Sequence, residues 1–263
     1  MLPVLGRILW GDGERSDALV LPDRIRANIK RQQQDSEKLI GWIQLGIVSI
    51  FSTLYAVSPG AFTISNNIRL VPYILITYFV FTILRLYLVY RHTLPGWFIS
   101  LSVIADIALL MITIWSFHLQ YDQPPSFYLK APTLLYIFIF IALRALRFEA
   151  RYVVLAGGVS ALGWVLMFLY VILVEPGNPM ITRDYVQYLT TNSVLIGGEL
   201  DKIISIVMVT GILALAISRA RGLLERSVAE GDKARSLSRF FAPAVIEQMA
   251  AAEKEVSLGQ GTE

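Results

Sequence analysis

Six blocks of apolar residues, each close to the length of a membrane crossing, leave this chain few folds. About twenty predominantly apolar residues carry a helix across the hydrocarbon core. Within lipid every backbone N–H and C=O must be paired internally, which a helix does by itself. The blocks run Leu39–Val57, Leu70–Tyr90, Trp97–Phe117, Pro132–Phe148, Tyr152–Val174 and Leu195–Ile217. They are continuous rather than spaced at an amphipathic period, which predicts an all-α membrane protein built as a six-transmembrane-helix bundle. Only 16% of the 263 residues are charged, against about 25% in soluble domains, and the mean hydropathy is +0.58. The first apolar run, Leu2 to Trp10, is short, is interrupted by Arg7 and has no small-residue cleavage site, so it does not read as a signal peptide. The absence of cysteine excludes disulfide and thiolate chemistry.

Basic residues set the orientation. With the N-terminus in the cytoplasm, the inner segments hold Arg7, Arg15, Arg24, Arg26, Lys30, Arg31, Lys38, Arg85, Arg91, Arg144, Arg147, Arg151 and the bases from Arg219 to Lys254. That is nineteen of the 23 lysines and arginines; the outer side keeps Arg69, Lys130, Arg183 and Lys202. The asymmetry follows the positive-inside rule and places both termini in the cytoplasm. It also accounts for the net charge of +3 and the isoelectric point near 9.1 without a nucleic-acid partner. Ahead of the first block, Pro22 suits the first turn of a helix running from Asp23 to Lys38 and on into the membrane. Ile25 and Ile29 share a face of it among Arg24, Arg26, Lys30 and Arg31. That face either lies on anionic headgroups or packs on the C-terminal linker.

Polar residues inside the spans need partners, because a charge at mid-span is costly. Asp106 is the sharpest case, and Arg85 is its expected partner. Side chains lean toward the N-terminus of their own helix, and the two helices run in opposite directions, so the lean closes most of the gap between them. Arg144 is the alternative partner. The pair is read either as a structural ion pair that fixes helix packing, the preferred reading, or as a relay or ligand counter-ion. At the outer end, His118, Asp122, Glu199 and Asp201 are of types that can hold a divalent cation. No spacing motif unites them, and interfacial polar groups with a Glu199–Lys202 pair one turn apart are the preferred reading. If the bundle senses an extracytoplasmic or lipid ligand, this outer funnel is where it would enter. Gly157 and Ala161, four residues apart in the fifth block, allow close approach of another helix.

After the last block, Ile217, Ala220, Leu224, Ser227, Gly231, Ala234, Ser238 and Phe241 repeat at alternating spacings of three and four, and charged residues flank them. This is a heptad seam, but its members are small, and Gly222 and Gly231 each weaken the helix by about 1 kcal/mol. It is read as a soft dimer coil able to change register, against the alternative of a solvated helix. Pro243 then breaks the helix and starts a short amphipathic one to Glu253, with Val245, Ile246 and Met249 on one face. The chain thus divides into a cytoplasmic N-terminal helix region (1–38), a membrane domain (39–217), a coiled-coil linker (218–241) and a short lead-in (242–263).

The stretch Leu237-Ser238-Arg239-Phe240-Phe241-Ala242-Pro243-Ala244-Val245-Ile246-Glu247-Gln248-Met249 resembles the segment just upstream of the catalytic domain in bacterial membrane-anchored class III adenylate cyclases. The helix before it is similar to that family's transducing element. The stretches Tyr128–Thr133 and Ala142–Phe148 resemble its six-span anchors. The resemblance implies a bacterial inner-membrane location, a homodimer and, in a whole protein, conversion of ATP to cyclic AMP and pyrophosphate with two Mg or Mn ions. No counterpart of that catalytic domain is found in these residues, so the expectation is a membrane anchor and regulatory fragment with no cofactor and no catalytic residue of its own. Rival expectations are the sensor half of a diguanylate cyclase or histidine kinase, and a small transporter or channel.

Overall fold

The computed structural model describes residues 23–57, 70–174 and 181–240. Helix α1, Asp23–Val57, joins the polar N-terminal stretch and the first apolar block without a break. Helix α2 is Leu70–Arg91 and helix α3 is Gly96–Gln120; Pro95 stands extended as the N-cap residue of α3 and forces the turn between them. Two 3₁₀ turns follow, Pro125–Lys130 and Pro132–Leu135, and then helix α4, Tyr136–Ala145. Helix α5 is Ala150–Val174, and the short α6, Tyr185–Thr190, is capped by the Asp184 side chain accepting from the Val186 N–H. Helix α7 is one 45-residue helix, Ile196–Phe240. No strand is present among the described residues; an isolated bridge pairs Ile181 with Val194.

Five stretches are long and apolar enough to cross a membrane: Arg31–Val57, Leu70–Arg91, Gly96–Gln120, Ala150–Val174 and Ile196–Leu224. The block expected at Pro132–Phe148 forms a shorter apolar helix, Pro132–Ala145. Proline supplies no N–H and fixes φ, so Pro124, Pro125 and Pro132 wind the entry as 3₁₀ turns. Phe148, at φ 58°, ends the other side in a left-handed turn. The segment nonetheless covers the depth of α3. The Tyr128 ring centroid lies 5.6 Å from that of His118, near the C-terminus of α3. The Tyr152 hydroxyl lies 3.5 Å from where a Cβ on Gly96 would stand, at the N-terminus of α3. Gly96 and His118 are about 33 Å apart at the helical rise.

Helix α3 is central. Its buried residues Ile99, Val103, Asp106, Leu110 and Ile114 recur at spacings of three and four, the stripe that a helix enclosed by neighbours requires. Ile137 and Ile141 of α4 and Val153, Ala156 and Trp164 of α5 join it in the core. The opposite faces carry exposed Trp42, Ile50, Ile76, Val80, Leu166 and Ile212, the surface a bundle presents to lipid. Helices α1 and α2 approach closely at Gly41, where a Cβ would stand 2.8 Å from Leu86 Cδ1. Helices α5 and α7 do so at Gly157, where a Cβ would overlap the Thr210 side chain. By its contacts the chain forms two units, Met1–Ser218 and Arg219–Glu263. The described part of the second is the helix to Phe240.

Candidate functional site: a buried charge network

The expectation of a partner for Asp106 leads to a larger assembly. Asp106 Oδ2 accepts from Gln44 Nε2 at 2.8 Å, from Arg85 Nη1 at 3.4 Å and from Arg144 Nη2. Both arginines expected as alternatives therefore meet it together. Arg85 extends the set: Nη1 donates to Gln44 Oε1 at 2.8 Å and Nη2 to Glu37 Oε2 at 2.7 Å. Glu37 Oε1 accepts from Arg147 Nη1 at 2.6 Å, and Arg147 Nε donates to Glu149 Oε1 at 2.7 Å. Arg151 pairs with Glu149 Oε2 from the surface, and Gln33 Nε2 donates to Glu149 Oε1 at 3.1 Å. Glu37, Asp106, Glu149, Arg85, Arg144 and Arg147 are all buried. Three carboxylates thus meet three guanidinium groups, and the network binds α1, α2, α3, α4 and the turn before α5.

Chemically the network is poor at moving protons. Each carboxylate is linked to the next through an arginine, and arginine keeps its proton in proteins. A buried ion set of this kind fixes register: removing one member leaves an uncompensated charge in low dielectric. Three atoms stand outside the pairing: Asp106 Oδ1, Arg85 Nε and Arg144 Nη1 are buried without a hydrogen-bond partner.

The outer-end residues do not gather as the metal reading requires, and that reading is corrected. Among the described residues no three His, Cys, Asp or Glu side chains are grouped to hold a metal ion. His118 Nδ1 lies against the Trp115 carbonyl. Asp122 and Asp201 are exposed, Asp122 in a left-handed turn at φ 50°. Glu199 is fully buried, accepting from Trp164 Nε1 at 2.9 Å and Lys202 Nζ at 2.7 Å. Lys202 also donates to the Leu129 carbonyl, and Lys130 to the carbonyls of Tyr188 and Thr191. These lysines tie the 3₁₀ turns to α6 and α7. Burial and the charge of Lys202 pull the Lys130 ammonium below its ordinary pKa.

On α7, Ile217 is buried and Ala220 half-buried, whereas Leu224, Ser227 and Gly231 are exposed. Ala234, Leu237 and Phe240 fall within the helix; Phe241, Pro243 and the short helix expected from Pro243 to Glu253 lie outside the described residues. Sequence reasoning missed Glu37, Gln44 and Glu149. Gln44 was visible as an amide inside an apolar block. Glu37 sits two residues before the Leu39 boundary expected for that block, yet α1 carries it into the bundle. No family model matches this chain, and neither a curated protein nor a solved structure matches it.

Proposed function

We propose that this chain is the membrane anchor and regulatory domain of a homodimeric class III adenylate cyclase, holding two linker helices at a defined spacing in the bacterial inner membrane. The observation that carries the reading is α7, an unbroken helix whose first part is a membrane-length apolar stretch and whose second part is the polar seam. Beyond the membrane-length stretch, the seam residues Ser227 and Gly231 are exposed, as a coil awaiting a second copy would leave them. The seam's glycines keep the pairing weak, and a switch needs two states within a few kcal/mol. The output, ATP to cyclic AMP and pyrophosphate, comes from the linker resemblance, and the Mg or Mn ions it needs belong to that catalytic domain.

Six crossings with both termini in the cytoplasm are part of the proposal. The passage of residues 128–152 from one end of α3 to the other supports a sixth crossing, made by α4 with its 3₁₀ turns. Against a kinase output, the helix after the membrane has no phosphate-accepting histidine, since His92 and His118 lie elsewhere. The test fuses residues 1–263 to a class III catalytic domain and deletes Ala229. One residue turns the helix by about 100°, so cyclic AMP production is expected to change severalfold, and a seven-residue deletion to restore it. Equal activity in all three proteins would end the transducer reading.

A further inference from the structure

On the side of the network facing the ends of α1 and α2 lies a cavity of about 260 Å³. Its walls come from four helices and the second 3₁₀ turn and are mostly apolar, with Phe51 of α1, Leu75 of α2, Leu109 and Phe117 of α3 and Phe140 of α4 beside the hydroxyls of Tyr78, Thr113 and Thr133. Asp106 also lines it. That carboxylate is 2% exposed, and its two oxygens differ sharply. Oδ2 takes all three donors of the network, while Oδ1 takes none. An unmet carboxylate oxygen in such surroundings is costly; Arg85 Nε and Arg144 Nη1 of the network are also unmet, but of these three residues Asp106 is the one on the cavity lining. The Tyr55 hydroxyl, also on the lining, is likewise buried without a partner.

Charge decides what can enter. The three buried carboxylates are already met by three buried guanidinium groups and by Arg151 from the surface, so a charged ligand at Asp106 would bring a further charge into low dielectric. The size is just below the usual range of ligand pockets, about 300–1,000 Å³. We infer that this cavity binds a small, neutral, membrane-soluble molecule with an apolar body and one hydroxyl, whose O–H donates to Asp106 Oδ1. Occupancy would set the separation of α1, α2, α3 and α4 beside the network. The inference stands apart from the adenylate cyclase reading, and its test reads binding alone.

The full chain in lipid nanodiscs is photolabelled with a diazirine-bearing octanol, and the modified residues are mapped by mass spectrometry. Labelling is expected on the cavity walls, around Phe51, Leu109 and Phe117. Unlabelled 1-octanol should displace it, with 1-methoxyoctane, which lacks the donor, at least about tenfold weaker. Equal competition by the two would overturn hydroxyl recognition. Labelling confined to lipid-facing residues such as Leu101 and Ile112 would assign the cavity to water or a lipid chain and overturn the site. Leu109→Trp fills the cavity without touching the network and should abolish the wall labelling; persistence in a folded variant counts against the site. Should that variant not fold, the competition on the unaltered chain still decides.

Discussion

Glu37 is the member of the network whose removal is most informative. It receives Arg85 Nη2 at 2.7 Å and Arg147 Nη1 at 2.6 Å, and it is 3% exposed. Glu37→Ala leaves both guanidinium groups short of an acceptor. Breaking a buried pair from one side costs about 3–5 kcal/mol. Arg85 keeps Gln44 at 2.8 Å and Asp106 at 3.4 Å, and Arg147 keeps Glu149 at 2.7 Å. These remaining acceptors place the expected loss at the lower end, about 3 kcal/mol. By the usual scaling for 150–250 residues that is a fall in Tm of about 6–12 °C. Glu37→Gln, which keeps one acceptor, should lose less. Asp35→Ala is the control: its pair with Lys38, at 3.0 Å, is solvent-exposed, and such pairs contribute about 0–1 kcal/mol. The assay is equilibrium unfolding in detergent micelles with a thermal melt alongside. If Glu37→Ala unfolds within about 0.5 kcal/mol of the unaltered chain, the network does not hold the bundle, and the assignment of α1 to the core fails with it.

Gly157→Val drives a side chain into Thr210 of α7 and should destabilise by about 1–3 kcal/mol or more; Gly158→Ala, with open space around its Cβ, should be neutral or slightly stabilising in the same melt. Trp164→Phe removes the donor to buried Glu199 and should lose about 2–3 kcal/mol, whereas a loss under about 0.5 kcal/mol would place that carboxylate in water. Alkaline pH tests Lys130. Its folded pKa lies below the ordinary 10.5, so between the two values the unfolded chain binds more protons and stability rises with pH. Burial raises Tyr128 and Tyr188 above their ordinary 10.0, which reverses the slope above about pH 10. Lys130→Arg stays charged and should lose the rise; an unchanged profile would mean that the ammonium is not buried.

The helices were legible in the sequence because lipid crossing imposes a crude length rule, and Leu70–Arg91, Gly96–Gln120 and Ala150–Val174 fall within a few residues of the apolar blocks. The exception is instructive. Hydropathy counts residues alike, but Pro132–Leu135 is wound as 3₁₀ and rises more steeply per residue than an α-helix, so α4 is shorter than its block. Asp106 announced itself because a lone carboxylate in an apolar run must be met. Its partners were named, but not that Arg85 and Arg144 would share one oxygen of it. Glu37 and Glu149 were hidden for a different reason. They sit beside bases at the edges of apolar blocks, where charge ordinarily means solvent, and only the continuation of α1 past Lys38 and the left-handed turn at Phe148 draw them inward.

The same arginines serve two arguments that have to be kept apart. Arg85, Arg144 and Arg147 enter the count of inner bases behind the proposed orientation, yet all three are buried and neutralised by carboxylates. A base paired inside a bundle is weak testimony about loop charge. Leaving out these three gives sixteen inner bases against four outer ones, and the bias stands. Lys130 and Lys202, counted outside, are themselves engaged with carbonyls and with Glu199, which weakens the opposing count further. Asp106 is the one carboxylate that touches cavity and network alike, so a ligand in the cavity would act on α3 through it.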